Sequence, residues 1–380
     1  MPQIVLYWLK YVGFYLAAIS SGMEQFSTEM RCATMKDSKS SFKKKRVRKR
    51  VLFLFFLGVL VVSGVWMWQS YNNMDSTMDA VFYDVGTQDK REDSVFLSAA
   101  QPVSFALLGI DSYGEELEER GGRSDTIIVL TINPQTKQTT LVSIPRDSYT
   151  EMVNYQTDNN NEYNDKITHA YAFGGTEMAL NSIQEFLDVP VDYYVEINMH
   201  GLKDLVDAIG GIEITSPLTF EYNGASFKAR DTVTLQGGEA LAFARMRYDD
   251  PQGDTGRQQR QQLVIKAIVD QLLNIEGISN YEAILSAVEM SMRTNLTFEN
   301  LVDIQKHYSD TITSYEQSVI TGEGIYMEDI YYYYVQPEER LRISNLLREE
   351  LELDQISFDE LNLSDADLQF GFGDNGTLEK

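Results

Sequence analysis

After Cys32 the 380-residue chain contains no further cysteine, which rules out an intramolecular disulfide and a cysteine-based zinc site. Histidine is almost as scarce. His169, His200 and His307 are too scattered to suggest a histidine-rich metal centre. No GxxxxGK[ST], no GxGxxG opening a helix, no GxSxG and no HExxH occurs, so the commonest nucleotide, hydrolase and zinc-protease readings fall away. Basic charge is also short. The chain carries 32 Lys and Arg against 57 Asp and Glu, and eleven of those bases lie in residues 1–50. The remainder therefore has 21 bases and 54 acids, a surface that argues against replacing counterions along a nucleic acid.

Long apolar runs are confined to the N-terminal part. Residues 51–68 read VLFLFFLGVLVVSGVWMW without a charge, enough for a spanning helix, with Trp66 and Trp68 at its far end. Seven of the eight residues from Lys43 to Arg50 are basic, which keeps that side in the cytoplasm and sends the C-terminal bulk of the chain outside. The expected order is a cytoplasmic segment (1–50), an anchor (51–69), an extracytoplasmic stalk (70–98), a catalytic domain (99–322) and an acidic C-terminal tail (323–380). A second apolar stretch, Ile4–Ser20, is interrupted by Lys10. Met35 is an alternative start, after which MKDSKSSFKKKRVRKR and the apolar run make a complete signal-anchor. If Ile4–Ser20 is another span the N-terminus is outside as well; the signal-anchor from Met35 gives the expected single pass at the cell membrane with a cytoplasmic N-terminus, and the domain is outside on either reading.

Within the domain, apolar β-rich runs at 103–109, 126–132, 139–144, 191–197 and 211–215 alternate with helical spacing at 175–187 and 199–209. A long helix comes next, from Arg257 to about Leu273, with further helices at 279–291 and 298–313. Alternation of this kind predicts an α/β fold with helices on the faces of a sheet.

Charged residues gather at the strand ends. Asp111 follows one strand and Asp125 precedes the next; two carboxylates brought together suit a hard cation such as Mg²⁺ or Mn²⁺, although each could simply cap a turn. Arg146 lies two residues past a strand, beside Asp147. Arg230, Arg245, Arg247, Arg257 and Arg260 form a local positive patch in an otherwise acidic domain. If the chain is extended there, Arg245 and Arg247 project to one side and can grip phosphate oxygens; Arg257 and Gln261 share a helix face. Salt bridges to Asp249, Asp250 and Asp254 are the plainer alternative for the same residues.

The stretches LLGIDS…GRSDTIIVLTINPQTKQTTLVSIPRDSY, DKITHAYAFGGTEMALNSIQEFLDVPVDYYVEINMHGLKDLVDAIGGIEI and GEALAFARMRYDDPQGDTGRQQRQQLVI resemble the LytR–CpsA–Psr family of Gram-positive envelope proteins over roughly residues 103–268. The resemblance implies an α/β/α sandwich with a central mixed sheet and an apolar pocket for a polyprenyl chain. It implies Mg²⁺-assisted transfer of a glycopolymer, of the teichoic acid or capsule type, from an undecaprenyl-diphosphate carrier to peptidoglycan. Carried over by position, Asp111 and Asp125 bind the metal. Arg123, Arg146, Lys166, Arg245, Arg247, Arg257 and Gln261 hold the diphosphate. Arg123 and Arg245 also act in catalysis, with Asp254 as candidate base. Thr255 stands where the family commonly has an aromatic, and the polar stretch 154–164 separates Arg146 from Lys166. The alternatives are hydrolysis of polyprenyl diphosphates at the same site and a non-catalytic envelope sensor or transcriptional attenuator; nucleic acid is not expected as a direct partner.

Overall fold

The computed structural model describes residues 59, 64–65, 77–86, 90–91, 95–112, 117, 122–155, 163–274, 278–312, 315–363 and 367. The N-terminal segment, nearly all of the 51–69 anchor, the Ile4–Ser20 stretch, most of the 154–164 insertion and the last thirteen residues lie outside the described residues. Among the described residues no helix is long and apolar enough to cross a membrane.

The domain opens with strands β1 (Val103–Asp111), β2 (Arg123–Asn133) and β3 (Gln138–Ser143), then the short pair β4 (Tyr149–Glu151) and β5 (Asn164–Lys166). Helix α1 (Ile167–Leu187), β6 (Tyr193–Asn198) and α2 (Met199–Ala208) come next. Four short strands lead into the helical half: β7 (Ile212–Thr215), β8 (Phe220–Tyr222), β9 (Ala225–Phe227) and β10 (Thr232–Leu235). That half holds α3 (Gly237–Arg245), α4 (Asp254–Leu273) and α5 (Ile278–Val288), then β11 (Met292–Thr294), α6 (Phe298–His307) and α7 (Ser309–Ile312). The chain closes with β12 (Glu316–Val319), β13 (Glu323–Met327), β14 (Ile330–Tyr334) and α8 (Pro337–Glu350).

Six strands form one mixed sheet in the order β11-β6-β1-β2-β3-β12. The β1–β2 and β2–β3 pairs are antiparallel, whereas β1–β6 and β3–β12 are parallel. β1 is central and buried on both sides, which is why VSFALLG is apolar at consecutive positions rather than alternate ones. Ala106, Leu108 and Ile110 pack with Ile127 and Val129 under α1 and α8; Val103 and Phe105 join Leu285, Phe298 and Tyr308 in a second cluster. A third cluster, around Ile212, Phe220, Phe243 and Val264, holds β7–β10 against α2, α3 and α4. Each such side chain contributes about 1.5–3 kcal/mol by leaving water.

Several boundaries differ from the sequence reading, each for a physical reason. The helix read from Gly175 is the second of two segments of α1: the backbone leaves helical geometry at Gly174 and Gly175 (φ +67° at the latter), and a first segment from Ile167 precedes that kink. α4 begins at Asp254, three residues before Arg257, after Gly253 turns the chain with φ +57°. Residues 323–363, expected as part of an acidic tail, are folded: Ile343 and Leu347 of α8 enter the core under the sheet, and buried Glu350 is bonded by the Thr131 and Thr140 hydroxyls. Burial pushes that carboxyl above its ordinary range, and its acidity is thereby hidden from solvent. The part of the 70–98 stalk that is described also packs on the domain. Met78 and Val81 are buried, and Tyr194 donates its hydroxyl to the Tyr83 carbonyl (2.5 Å).

Candidate functional site

The site lies where β1, β2 and β3 end, and the backbone there is irregular. Gly109 faces Thr126 across the ladder, but Ile110 faces Ser124, so two residues of β2 pass for one of β1 and Asp125 is the extra one. Such a bulge bends the strand and re-aims a side chain. Asp125 turns toward Arg146, whose Nη1 donates to its Oδ2 at 2.5 Å, and Thr168 of α1 donates its hydroxyl to Oδ1 at 3.3 Å. Asp111 and Arg123 stand opposite each other at the ends of their strands, Asp111 partly buried and Arg123 exposed.

Arg146 follows β3 through a turn in which Ser148 N–H bonds the Pro145 carbonyl (2.9 Å). The same turn caps α1: the N–H groups of Ile167 and Thr168, orphaned at a helix start, donate to the carbonyls of Ser148 and Arg146. Asp147 links the two cations of this edge, Lys166 Nζ at 3.0 Å and Arg146 Nε at 3.8 Å. The Arg146–Asp147 pair that the sequence suggests is therefore the looser contact, and Asp125 is the closer partner of Arg146.

Arginines from the helical half face this edge. Asp254, in the first turn of α4, lies 2.8 Å from Arg257 Nη2 and 3.5 Å from Arg247 Nε, and accepts from Gln258 Nε2 at 3.1 Å. Burial lowers the pKa of Arg257; Asp254 counters this, while Arg146 and Arg247 push it further down. Burial opposes the charge of Arg146 too, but Asp125, Asp147 and Asp254 outweigh it and its pKa is raised. These mutual effects place Asp125, Arg146, Arg247, Asp254 and Arg257 in one cluster. The Nε–H of Arg257 is buried without a hydrogen-bond partner among the described residues. A buried, unpaired donor between like charges is a position that an anionic oxygen would satisfy.

Arg260, counted with the positive patch from sequence, has a different job. It is 1% exposed, and donates from Nε to the Phe243 carbonyl (3.0 Å), from Nη2 to the Met246 carbonyl and from Nη1 to Asp250. Its guanidinium carbon stands 5.5 Å from the centre of the Phe220 ring. Asp250 in turn accepts from Gln252 N–H and sits against Gly256, where a Cβ would come within 2.1 Å of its Oδ2. The pair thus folds the 247–253 loop back onto α4 and sets where Arg247 and Asp254 emerge. Arg230 is exposed, with φ +69°, in the β9–β10 connection.

Arg245 is exposed at the last residue of α3, so the Arg245–Arg247 stretch is not the continuous extended segment the sequence suggests; the helix ends at Arg245, and buried Met246 and then Arg247 follow outside it. Gln261 lies partly buried on α4. No ion pair joins Arg123 or Arg245 to the cluster among the described residues. Sequence reasoning misses Thr168, Gln258 and the bridging role of Asp147. Thr168 escapes because the first half of α1 does not read as a helix, and Gln258 because the apparent helix start falls after Asp254.

The carboxylates of Asp111 and Asp125 carry hard oxygen donors, the type that suits Mg²⁺ or Mn²⁺. An ionised carboxylate offers about four acceptor positions. Arg146 and Thr168 occupy two on Asp125, so capacity for a cation remains. Among the described residues no group of three or more His, Cys, Asp or Glu side chains gathers as a full ligand set. A cation held here would complete its shell with substrate oxygens and water.

The profile of the LytR_cpsA_psr family matches residues 68–349. The polyisoprenyl-teichoic acid–peptidoglycan teichoic acid transferase TagU of Bacillus mycoides is 40% identical over 314 residues, 81% of this chain and 99% of the relative. The crystal structure of Bacillus subtilis TagU superposes with a TM-score of 0.54 at 40% identity, covering 68% of this chain and 100% of that one. A structure of TagT bound to LIIa-WTA superposes at 0.57 with 26% identity, covering 70% and 97%.

Proposed function

The chain belongs to the LytR–CpsA–Psr family, and from that premise we propose that it transfers a teichoic-acid-type glycopolymer from an undecaprenyl-diphosphate carrier to peptidoglycan. The observation that carries this reading is the unpaired Nε of Arg257 among Arg146, Arg247, Asp125 and Asp254, a cationic nest short of an anion. The relatives named for the same transfer, and the solved relative bound to wall teichoic acid, support the substrate class.

Phosphoryl transfer asks a protein mainly to position and neutralise. An acceptor sugar hydroxyl forms a new P–O bond to the phosphorus that bears the glycopolymer. The bond from that phosphorus to the bridging oxygen breaks, and the lipid leaves as its monophosphate. The hydroxyl proton passes to a base. Arg146, Arg257 and Arg247 hold diphosphate oxygens and take up the charge that builds on the leaving phosphate; Lys166, Arg123, Arg245 and Gln261 extend that hold. Asp254 keeps Arg247 and Arg257 aligned, and remains the candidate for the proton. Mg²⁺, held by Asp111 and Asp125, would supply further charge neutralisation at the diphosphate. We place the 51–69 anchor in the cell membrane, with the N-terminus in the cytoplasm and the domain outside, where the lipid-linked donor and peptidoglycan meet.

The test is the full chain in liposomes with lipid-diphosphate-linked glycan, peptidoglycan and Mg²⁺. Glycan retained on peptidoglycan with release of lipid monophosphate is the expected result. Glycan phosphate appearing in solution would instead mean hydrolysis, and binding without turnover would mean a sensor.

A further inference from the structure

The β13–β14 hairpin is docked on the cationic edge of the site. Tyr333 N–H donates to the Asp147 carbonyl at 2.8 Å, Ser148 and Tyr333 form a parallel bridge, and the Tyr332 ring meets Tyr149 edge-on at 5.1 Å. Lys166 Nζ lies 6.0 Å from the centre of the Tyr331 ring. Alternation along β14 therefore splits the tyrosine run. Tyr332 and Tyr334 are buried, whereas Tyr331 is 38% exposed and faces Tyr326, which is 73% exposed.

Tyr326 and Tyr331 are directly paired across the hairpin, with ring centres 5.6 Å apart and planes at 69°. Gly324 shapes the surface. A Cβ there would come within 2.7 Å of Tyr331 Cε2, so the absent side chain lets that ring lie along the hairpin. The result is two exposed rings held by the fold, the Tyr331 ring centre 6.0 Å from Lys166 Nζ and the Tyr326 ring beside that of Tyr331. Burial, then Asp147, Tyr326 and Asp254, raise the pKa of Tyr331, and Arg247 opposes them. Rings with a polar tip suit ligands that are apolar on one face and hydroxylated at the rim.

We propose that Tyr326 and Tyr331 form a stacking platform for a sugar ring of the acceptor peptidoglycan strand. It rests on the transfer reading, which requires a second, sugar-bearing substrate beside the diphosphate. The acceptor is the occupant favoured because the platform is an exposed hairpin face, open to a polymer too large to enter a cleft, whereas the donor diphosphate is gripped within the arginine cluster.

The experiment uses the full chain in liposomes and two readouts. The first is binding of soluble, uncrosslinked peptidoglycan glycan strands without donor. Tyr331→Ala and Tyr326→Ala should each weaken it about fivefold, Tyr331→Phe should preserve it, and Gly324→Ala, which displaces the ring without removing it, should weaken it too. The second is steady-state transfer, where the acceptor KM should rise by a similar factor and the donor KM stay unchanged. Unaltered strand binding in both alanine variants, or an equal rise in the donor KM, overturns the platform. Tyr326 is largely exposed, so its variant keeps the test valid if the Tyr331 variant unfolds. Tyrosine-dependent binding by a protein that performs no transfer supports the platform and overturns the transfer reading. Transfer with an unchanged acceptor KM in both variants does the reverse.

Discussion

Arg257 and Arg260 are three residues apart on one helix, each beside an aspartate, and they do opposite things. Arg260 is fully buried, its guanidinium bonded to two carbonyls and Asp250. Arg257 keeps only 11% of its side chain exposed, but its Nε has no hydrogen-bond partner among the described residues and its neighbours include two more arginines. A saturated buried cation holds a loop in place. An unsaturated one, crowded by like charge, is a receptor for an anion. The difference lies in what remains unbonded, since residue type, spacing and local charge are almost the same.

The largest effect should come from the saturated member. Arg260→Ala leaves the Asp250 carboxylate buried and unpaired and should cost about 3–5 kcal/mol in urea unfolding. A change within about 1 kcal/mol would erase the contrast. Arg257→Ala should do the converse: transfer falls on the order of 10²- to 10³-fold while unfolding is nearly unmoved. Asp125→Asn should raise the Mg²⁺ concentration needed for half-maximal transfer by about tenfold, and chelation should stop transfer without shifting the unfolding midpoint. An unchanged Mg²⁺ requirement would remove Asp125 from the cation. Asp254→Asn should lower kcat/KM about tenfold or more, by loosening Arg247 and Arg257 and by removing the candidate proton acceptor. An unchanged kcat/KM would take both roles from Asp254.

The contrast is not legible in the sequence, for a reason that lies in the backbone. GDTGRQQRQQ shows two arginines on a helix start, and spacing makes Arg257 and Gln261 face-mates, which they are by register. It gives no sign that Arg260 points back into the elbow of α3 and α4, because the Phe243 and Met246 carbonyls that receive it are backbone atoms, available in any sequence. Strand runs such as TIIVLTI and VSFALLG are legible because burial on both faces leaves a continuous apolar record. The first half of α1 is not, since Gly174–Gly175 looks like a helix start and is an internal kink. α8 is hidden by its acids, of which Glu350 is in fact tucked beneath two threonines. The cluster of Asp125, Arg146 and Arg257 is legible as a set of charged strand and helix ends, but not its internal pairing.

The bulge at Asp125 has a consequence for how this site can vary. The direction of its carboxylate is set by counting residues, since one extra residue in β2 is what takes position 125 out of the regular alternation. Changes in the length of the connection between β1 and β2 leave that count untouched, while loss of the one extra residue would restore a regular ladder and take the carboxylate out of the site. The connection can therefore change length without moving Asp125, whereas the number of residues at the bulge matters to the site as much as their kind.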